Sequence, residues 1–397
     1  MHLAIRIKLN PTPEQEELFR KSAGVARWAY NYFLGVNEDA YHEHLKDATK
    51  PRSVSEGEVR KQINHDLKPT THTWLKEVGS NVMKQAVKDA DAARKRWLAG
   101  LSGKPKFKTK RKAKPSFYVN YESLKRIPGG FQGERIDRVK TYQPLPKLKK
   151  GKKYSNPRIS FDGRAWFLSI GREVEPHEVE LTGESIGVDV GIEKLAVVST
   201  GKVYKNVNKA KRTKRLAKRL KREQRRLSRK EAANIKTHTA KKCISQKCTR
   251  KPIWKRPLRV CRNIQKQVKV VRSIHRKIAN IRTNHLHQAT FGIVKTKPSR
   301  IVMEHLNVRG MMKNRHLAKA IAEQGWHEFK RQMKYKSALY GIEFVEADRW
   351  YPSSKTCSCC GEVRTDLKLR DRIYRCSCGL VIDRDLNAAI NLAHYSI

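Results

Sequence analysis

The charge on this chain restricts its behaviour more than any other sequence feature. Lys and Arg total 88, Asp and Glu 37, a formal excess of +51 over 397 residues. Such an excess opposes a compact state by self-repulsion unless a polyanion neutralises it. Solubility alone needs far less. Nucleic acid is the natural partner, because its phosphates release counterions as Lys and Arg dock. The charge is also concentrated. KAKRTKRLAKRLKREQRRLSRK, at 209–230, holds 13 basic residues in 22, with Leu216, Leu220 and Leu227 on one helical stripe. A second long basic helix is predicted from about 260 to 294. A membrane surface fits less well, since no long apolar run or lipidation signal accompanies the charge. The N-terminus, MHLAIRIKLN, alternates instead of forming an apolar signal core, which argues against secretion and membrane spanning and for a cytoplasmic, nucleoid-associated protein.

The length allows two or three domains with a real core, and the pattern is that of a multidomain α/β protein. Leu3, Ile5, Ile7 and Leu9 alternate with Ala4, Arg6 and Lys8, a half-buried strand. Thr12, Pro13 and Gln15 then make a capping box with proline in the first turn. The helix that follows carries Leu18, Val25, Trp28 and Tyr32 on one face. A second helical stretch runs roughly from Asn81 to Trp97 and is broken by Gly100, Gly103 and Pro105. Short strands with Gly and Pro turns continue to about 180. The first strand is expected to join them in a small barrel over 1–10 and 106–180, leaving 11–105 as a helical insertion. Further on, 181–206 reads as three strands, RIVMEHL as a buried strand, 316–340 as a helix and IEFVEADRW as another strand. The stretch between the basic helices, with Cys243 and Cys248, reads as a loop.

Carboxylates interrupt the apolar strands. Asp189 lies within SIGVDVGI, facing away from Ile186, Val188 and Val190, with Gly187 and Gly191 leaving room. Glu304 lies within IVMEHLNV. Asp383 and Asp385 stand where a strand-like GLVI meets the helix LNAAINLAHY, a favourable place for an acid. A buried carboxylate is costly unless paired or metal-bound. Acids on two strands and one helix start, within a βββαβα-like region, point to a shared site. A pair of Mg²⁺ ions roughly 3.5–4 Å apart relieves such repulsion and activates water for phosphodiester attack. Singly, each acid is more often a cap or a salt-bridge partner; the signal is the ordered set.

Five cysteines fall within 22 residues. Cys357 and Cys360 have C-x2-C spacing, and Cys376 and Cys378 follow after fifteen intervening residues. This is the spacing of a four-thiolate zinc ribbon, with a second knuckle one residue short and Cys359 as a rival ligand. Four thiolates leave no open position for water, so such a zinc is structural. Cys243, Cys248 and Cys261 lack partners at this spacing and read as plain thiols.

Taken in order, these segments resemble the TnpB family of transposon-encoded RNA-guided nucleases, related to the compact type V CRISPR effectors. LNPTPEQEELF and ARWAYNYFL resemble its N-terminal helical region, and GKPKFKTKRKAKPSFYV its central stretch. GVDVGIEKLAV, IVMEHLNVRGM and DRDLNAAINL resemble its three RuvC motifs, with the ribbon just before the third. The resemblance implies a RuvC nuclease core of RNase H type over 181–350 and 381–397, with the basic helices at 209–294 inserted. It further implies a zinc ribbon at 351–380, a wedge-like barrel and a helical recognition insert. It implies Asp189, Glu304 and Asp385 as Mg²⁺-binding catalytic acids. Asp385 ranks ahead of Asp383 because the family's third acid stands two positions before an asparagine, here Asn387. Expected partners are a guide RNA from the element's end and double-stranded target DNA beside a short recognised motif. The rivals are a nuclease-inactive guided repressor and a transposition-associated DNA-binding protein.

Overall fold

A computed structural model describes residues 1–110, 113–149, 151–235, 254–258, 260–368 and 371–396. The expected loop thiols Cys243 and Cys248 lie outside the described residues. Two compact units divide the chain, Met1–Val174 and Glu175–Ile397.

In the first unit, β1 (His2–Asn10) pairs antiparallel with β7 (Trp166–Glu173) along most of its length and with β5 (Ile136–Thr141) at Leu9 and Asn10. The seven-stranded sheet has the order β2-β6-β7-β1-β5-β4-β3. Its edges, β2 (Ser116–Tyr118) and β3 (Lys125–Ile127), are not paired with each other among the described residues. Thr12 accepts from the Gln15 N–H and Gln15 accepts from the Thr12 N–H, opening α1 (Pro13–Lys46). α2 (Glu56–Gln62) and α3 (Ser80–Leu98) follow. Helices and sheet share one core. Fully buried Phe19 of α1 lies 5.7 Å from Phe117 and 5.3 Å from Trp166, ring centre to centre. The helical stretch is therefore packed into the sheet's own core.

The second unit is built on a mixed five-stranded sheet, β10-β9-β8-β11-β12. β8 (Thr182–Val190), β9 (Lys194–Val198) and β10 (Val203–Lys205) run antiparallel through tight turns. β11 (Pro298–Glu304) is parallel to β8, and β12 (Glu343–Ala347) to β11. Parallel neighbours need crossovers. The first carries α4 (Lys211–Ala233) and α5 (Arg262–Val294), which pair antiparallel. Asn208 just before α4 meets Arg282, while Lys230 meets Gln267. On α4, Thr213 and Glu223 are buried and Leu216, Leu220 and Leu227 half-buried, whereas every Lys and Arg is exposed.

The second crossover differs from the single helix expected over 316–340. After α6 (Val308–Met311) come α7 (Ala318–Gln324) and α8 (Trp326–Leu339), interrupted at Gly325, where φ is +70°. A left-handed residue cannot continue a right-handed helix, so apolar periodicity runs on across the break while the backbone turns. A small hairpin of β13 (Ile373–Arg375) and β14 (Val381–Asp383) leads into α9 (Arg384–Ala393). Among the described residues no helix is long and apolar enough to cross a membrane.

α9 lies flush on β8. A Cβ added at Gly187 would sit 1.9 Å from the Ala389 carbonyl oxygen and 2.5 Å from the Ala393 nitrogen. Only a hydrogen fits there. Gly187→Ala is accordingly expected to destabilise the protein by about 1–3 kcal/mol or more, because both clashing atoms are backbone. A thermal melt within error of the parent would refute this packing.

Candidate active site and metal centre

Strand register brings the first two acids together. Met303 of β11 is the partner of Val188 of β8, and the next residues along the parallel pair are Glu304 and Asp189. Val188 and Val190 turn into the core, which sends Asp189 to the opposite face of the sheet, toward α9. The two carboxyl groups are within hydrogen-bonding distance. Burial, then the nearness of Glu304 and Asp385, pushes the Asp189 carboxyl well above the usual carboxylate range. Burial likewise raises Glu304, against the opposing hydrogen bond from Ser353. The Ser353 hydroxyl donates to Glu304 Oε1 at 2.8 Å.

The two aspartates at the start of α9 are placed differently. Asp383 is the N-cap, its Oδ1 accepting from the Asp385 N–H at 3.0 Å and the Leu386 N–H at 3.2 Å. Its other oxygen takes Lys194 Nζ at 2.8 Å, and despite partial burial these contacts hold its carboxyl below the usual range. Asp385 is in the first turn, close enough to Asp189 and Glu304 to disfavour ionisation of both. Lys194 Nζ stands 3.3 Å from Asp385. Arg384 is the opposing charge, favouring the ionised forms of Asp189 and Glu304. Thus Asp189, Glu304 and Asp385 come together, and Asp383 sits at the edge on the helix cap.

Such a group is electrostatically incomplete. Burial holds both carboxyls above their ordinary range, and Arg384 and the Ser353 hydroxyl only partly offset it. Hard, all-oxygen donors suit Mg²⁺. Below the raised folded values but above the ordinary 3.8 of Asp, the unfolded chain has released protons that the folded chain keeps. Stability therefore falls as pH rises through that window. Asp189→Asn, which removes one buried acid at constant shape, is expected to melt a few degrees above the parent at pH 8 without Mg²⁺. Added Mg²⁺ is expected to raise the parent's melting point and to leave the variant's unchanged. A lower melting point for the variant would contradict the electrostatic account.

The cysteines form the second centre. The sulfurs of Cys357, Cys360, Cys376 and Cys378 all lie within 4.8 Å of one another, with Cys357–Cys378 at 3.7 Å and Cys360–Cys376 at 3.5 Å. A tetrahedral zinc with bonds of about 2.3 Å has sulfurs about 3.8 Å apart, so the set fits. Burial opposes ionisation of Cys357, yet the Cys360 and Cys359 N–H groups at its sulfur outweigh this and bring its thiol to about 7. The Leu380 N–H favours a Cys378 thiolate, but burial and the neighbouring thiols push it up to about 12. Four crowded thiols cannot all ionise without a cation. Cys359 is exposed and contributes its N–H to Cys357 Sγ at 3.4 Å. Cys261 stands apart as a free thiol. Cys359→Ser is expected to keep about one zinc per chain and Cys378→Ser to lose it, as metal analysis of the purified protein would measure.

Several residues at the site carry no charge to mark them in the sequence. Buried Asn387 accepts from the Ser358 N–H at 3.0 Å and donates to the Thr356 carbonyl at 2.7 Å. One turn on, buried Asn391 donates to the Ser353 and Thr356 carbonyls, both at 2.7 Å. α9 thus grips the segment entering the first cysteine knuckle while its first turn carries Asp385. The spacing of Asn387 and Asn391, four residues apart on an apolar helix, was the available signal.

The fold and site define a strongly cationic α/β protein with a carboxylate cluster at one end of a mixed sheet and a cysteine ribbon fastened beside it. Comparison with known proteins gives this class a family. Residues 169–315 match the OrfB_IS605 family, described as a probable transposase, and 326–392 match the Cas12f1-like TNB domain. Residues 1–46 match a helix-turn-helix family, although the structure has there one strand and one 34-residue helix. A Streptomyces pristinaespiralis protein named "Putative RNA-guided DNA endonuclease" is 30% identical over 98% of this chain and 88% of its own length. The Escherichia coli protein InsQ, given the same descriptive name, is 28% identical over 98% of this chain and 91% of its own length. A solved mini-RNA-guided endonuclease, CRISPR-Cas phi3, is 10% identical with a TM-score of 0.42 over 99% of this chain and 92% of its own, too distant to argue from. The chain belongs to the TnpB family, the OrfB proteins of IS605-type elements.

Proposed function

We propose that this protein is a Mg²⁺-dependent, RNA-guided DNA endonuclease. The observation that carries the reading is the meeting of Asp189, Glu304 and Asp385 in a chain whose formal charge is otherwise +51. Cationic surface gathers a polyanion, whereas an acidic pocket repels one unless it holds metal. The names of the full-length relatives support the same activity.

In this reading the sheet β10-β9-β8-β11-β12 is a RuvC-like core of RNase H type; three antiparallel strands followed by two parallel ones support it. When bound, a pair of Mg²⁺ ions supplies Lewis-acid stabilisation and an activated water for phosphodiester hydrolysis. Asp189, Glu304 and Asp385 would hold the ions. Ser353 fixes the Glu304 carboxyl, and the Asp383 cap fixes the turn that presents Asp385. Lys194, ion-paired with Asp383 and Asp385, is the cation placed to meet a phosphate at the site. The cationic faces of α4 and α5 take the guide RNA and its heteroduplex by backbone charge and shape, since base pairing carries sequence. The protein itself reads the short target-adjacent motif. The guide derives from the transposon end.

The decisive experiment is purification of the full chain together with its element's flanking sequence. A discrete RNA should co-purify, and that complex should cut matched plasmid DNA only with Mg²⁺. Asp385→Asn should eliminate cutting, because an amide carries no charge to hold a cation. Asp383→Asn should retain measurable cutting, since Asn caps a helix nearly as well as Asp. A dead Asp383 variant beside an active Asp385 variant would reverse the assignment; protein free of RNA and inert on DNA would sink the reading.

A further inference from the structure

Trp350 is the most exposed large apolar side chain among the described residues, at 79%. Single exposed apolar side chains are ordinary on protein surfaces. This one differs in its support. The Trp350 backbone N–H donates to Asp348 Oδ1 at 2.7 Å, and the Asp348 backbone N–H donates to the Tyr395 hydroxyl at 3.1 Å. Tyr351 packs edge-on against Tyr395 at 4.9 Å and donates its hydroxyl to the Asn391 carbonyl at 3.1 Å. Two residues further, Ser353 is buried and bonded to Glu304. The loop is fixed on both sides of Trp350, yet the indole is left in water. Folding gains little from it.

Two further features say what the indole meets. The Arg349 guanidinium lies 4.9 Å from the Trp350 ring centre, and Arg349 makes no ion pair among the described residues. An exposed aromatic ring with a guanidinium packed over it is a pairing that receives an unpaired nucleobase and its phosphate. The second feature is position. Three residues of chain span at most about 11 Å, so Trp350 lies within the reach of a few nucleotides from the residue that holds Glu304.

We propose that Trp350, with Arg349 beside it, is a stacking platform for an unpaired base of the DNA strand delivered to the carboxylates. The proposal rests on the nuclease reading for the identity of the strand. Trp350 is a positioning residue: it sets where the strand lies, and stacking tolerates any base because every base has a π-face. A single-stranded substrate is implied, since a base paired in a duplex presents only its edges.

The test uses the full-length protein and a single-stranded oligodeoxynucleotide carrying 5-iododeoxyuridine. Mg²⁺ is omitted to prevent cutting, and salt is raised to about 0.3 M to weaken phosphate-only binding. Irradiation should cross-link the base to Trp350, located by mass spectrometry. Trp350→Ala should weaken binding of the intact strand about tenfold while leaving an abasic strand of equal length unchanged. Trp350→Phe should restore most of the loss. With Mg²⁺ present, the alanine variant should need more strand for half-maximal cutting at unaltered maximal rate. Equal losses on intact and abasic strands, no loss on either, or cross-links confined to other residues would overturn the platform. Base-dependent binding through Trp350 in a parent protein that cuts no DNA would instead overturn the nuclease reading and leave the platform standing.

Discussion

The closeness of α9 to β8 governs the second unit. At Gly187 the strand offers no side chain, and the helix backbone comes down into the space. That single contact sets the height of α9 above the sheet. Asp385 is then carried to the end of β8, where Asp189 and Glu304 already stand side by side through the parallel register. It also determines where Asn387 and Asn391 can reach, and so where the cysteine ribbon is held. One missing methyl group thus connects the sheet, the carboxylates and the ribbon. Ala388 and Ala389, both essentially buried, continue the same small-residue surface on the helix side.

Electrostatics divides the molecule by sign. Outside, every Lys and Arg of α4 is exposed, and like charges one turn apart weaken an isolated helix. Its inner stripe compensates through α5, where the Gln267 amide donates to Glu223 at 2.9 Å. Inside, at the sheet's end, the imbalance is reversed and carboxyls crowd one another. Neither region is at its lowest energy in isolation. Each becomes comfortable with a ligand of opposite charge, polyanion on the helices and cation at the acids. Function sites commonly hold such unrelieved charge.

Much of this was legible in the sequence, for specific reasons. Asp189 and Glu304 stood out because charge inside an apolar strand is expensive enough to need a cause. Thr12 and Gln15 announced a helix start because a capping box is local chemistry. The helix break at Gly325 was not legible, since the apolar stripe continues on both sides and a glycine inside a helical pattern is often tolerated. The shared core of the first unit was equally hidden. Nothing in the spacing of Phe19 and Phe117 says that a helix and a distant strand pack ring against ring. The roles of Ser353 and Asn391 are not legible in the sequence, because neutral polar residues acquire meaning only through partners far away in the chain.

Those neutral residues bear on what the ribbon is for. A closed four-sulfur site has no open position, so its direct contribution is to folding. Yet the segment entering it touches the carboxylate site at Ser353 and is held by α9 at Thr356 and Ser358. A ribbon without metal would lose the constraint on Cys357, and the segment 353–358 would be fixed from one side only. Glu304 would keep its place on β11, and its donor Ser353 would then be held chiefly by Asn391. The coupling also runs in the other direction. A shift of α9 that moved Asp385 would pull on Asn387 and Asn391, and through them on the knuckle. The sulfur cluster and the geometry at the acids are therefore linked by the four hydrogen bonds of Asn387 and Asn391 and by one donated by Ser353. In that arrangement the cysteine ribbon supports the residues that orient the acids.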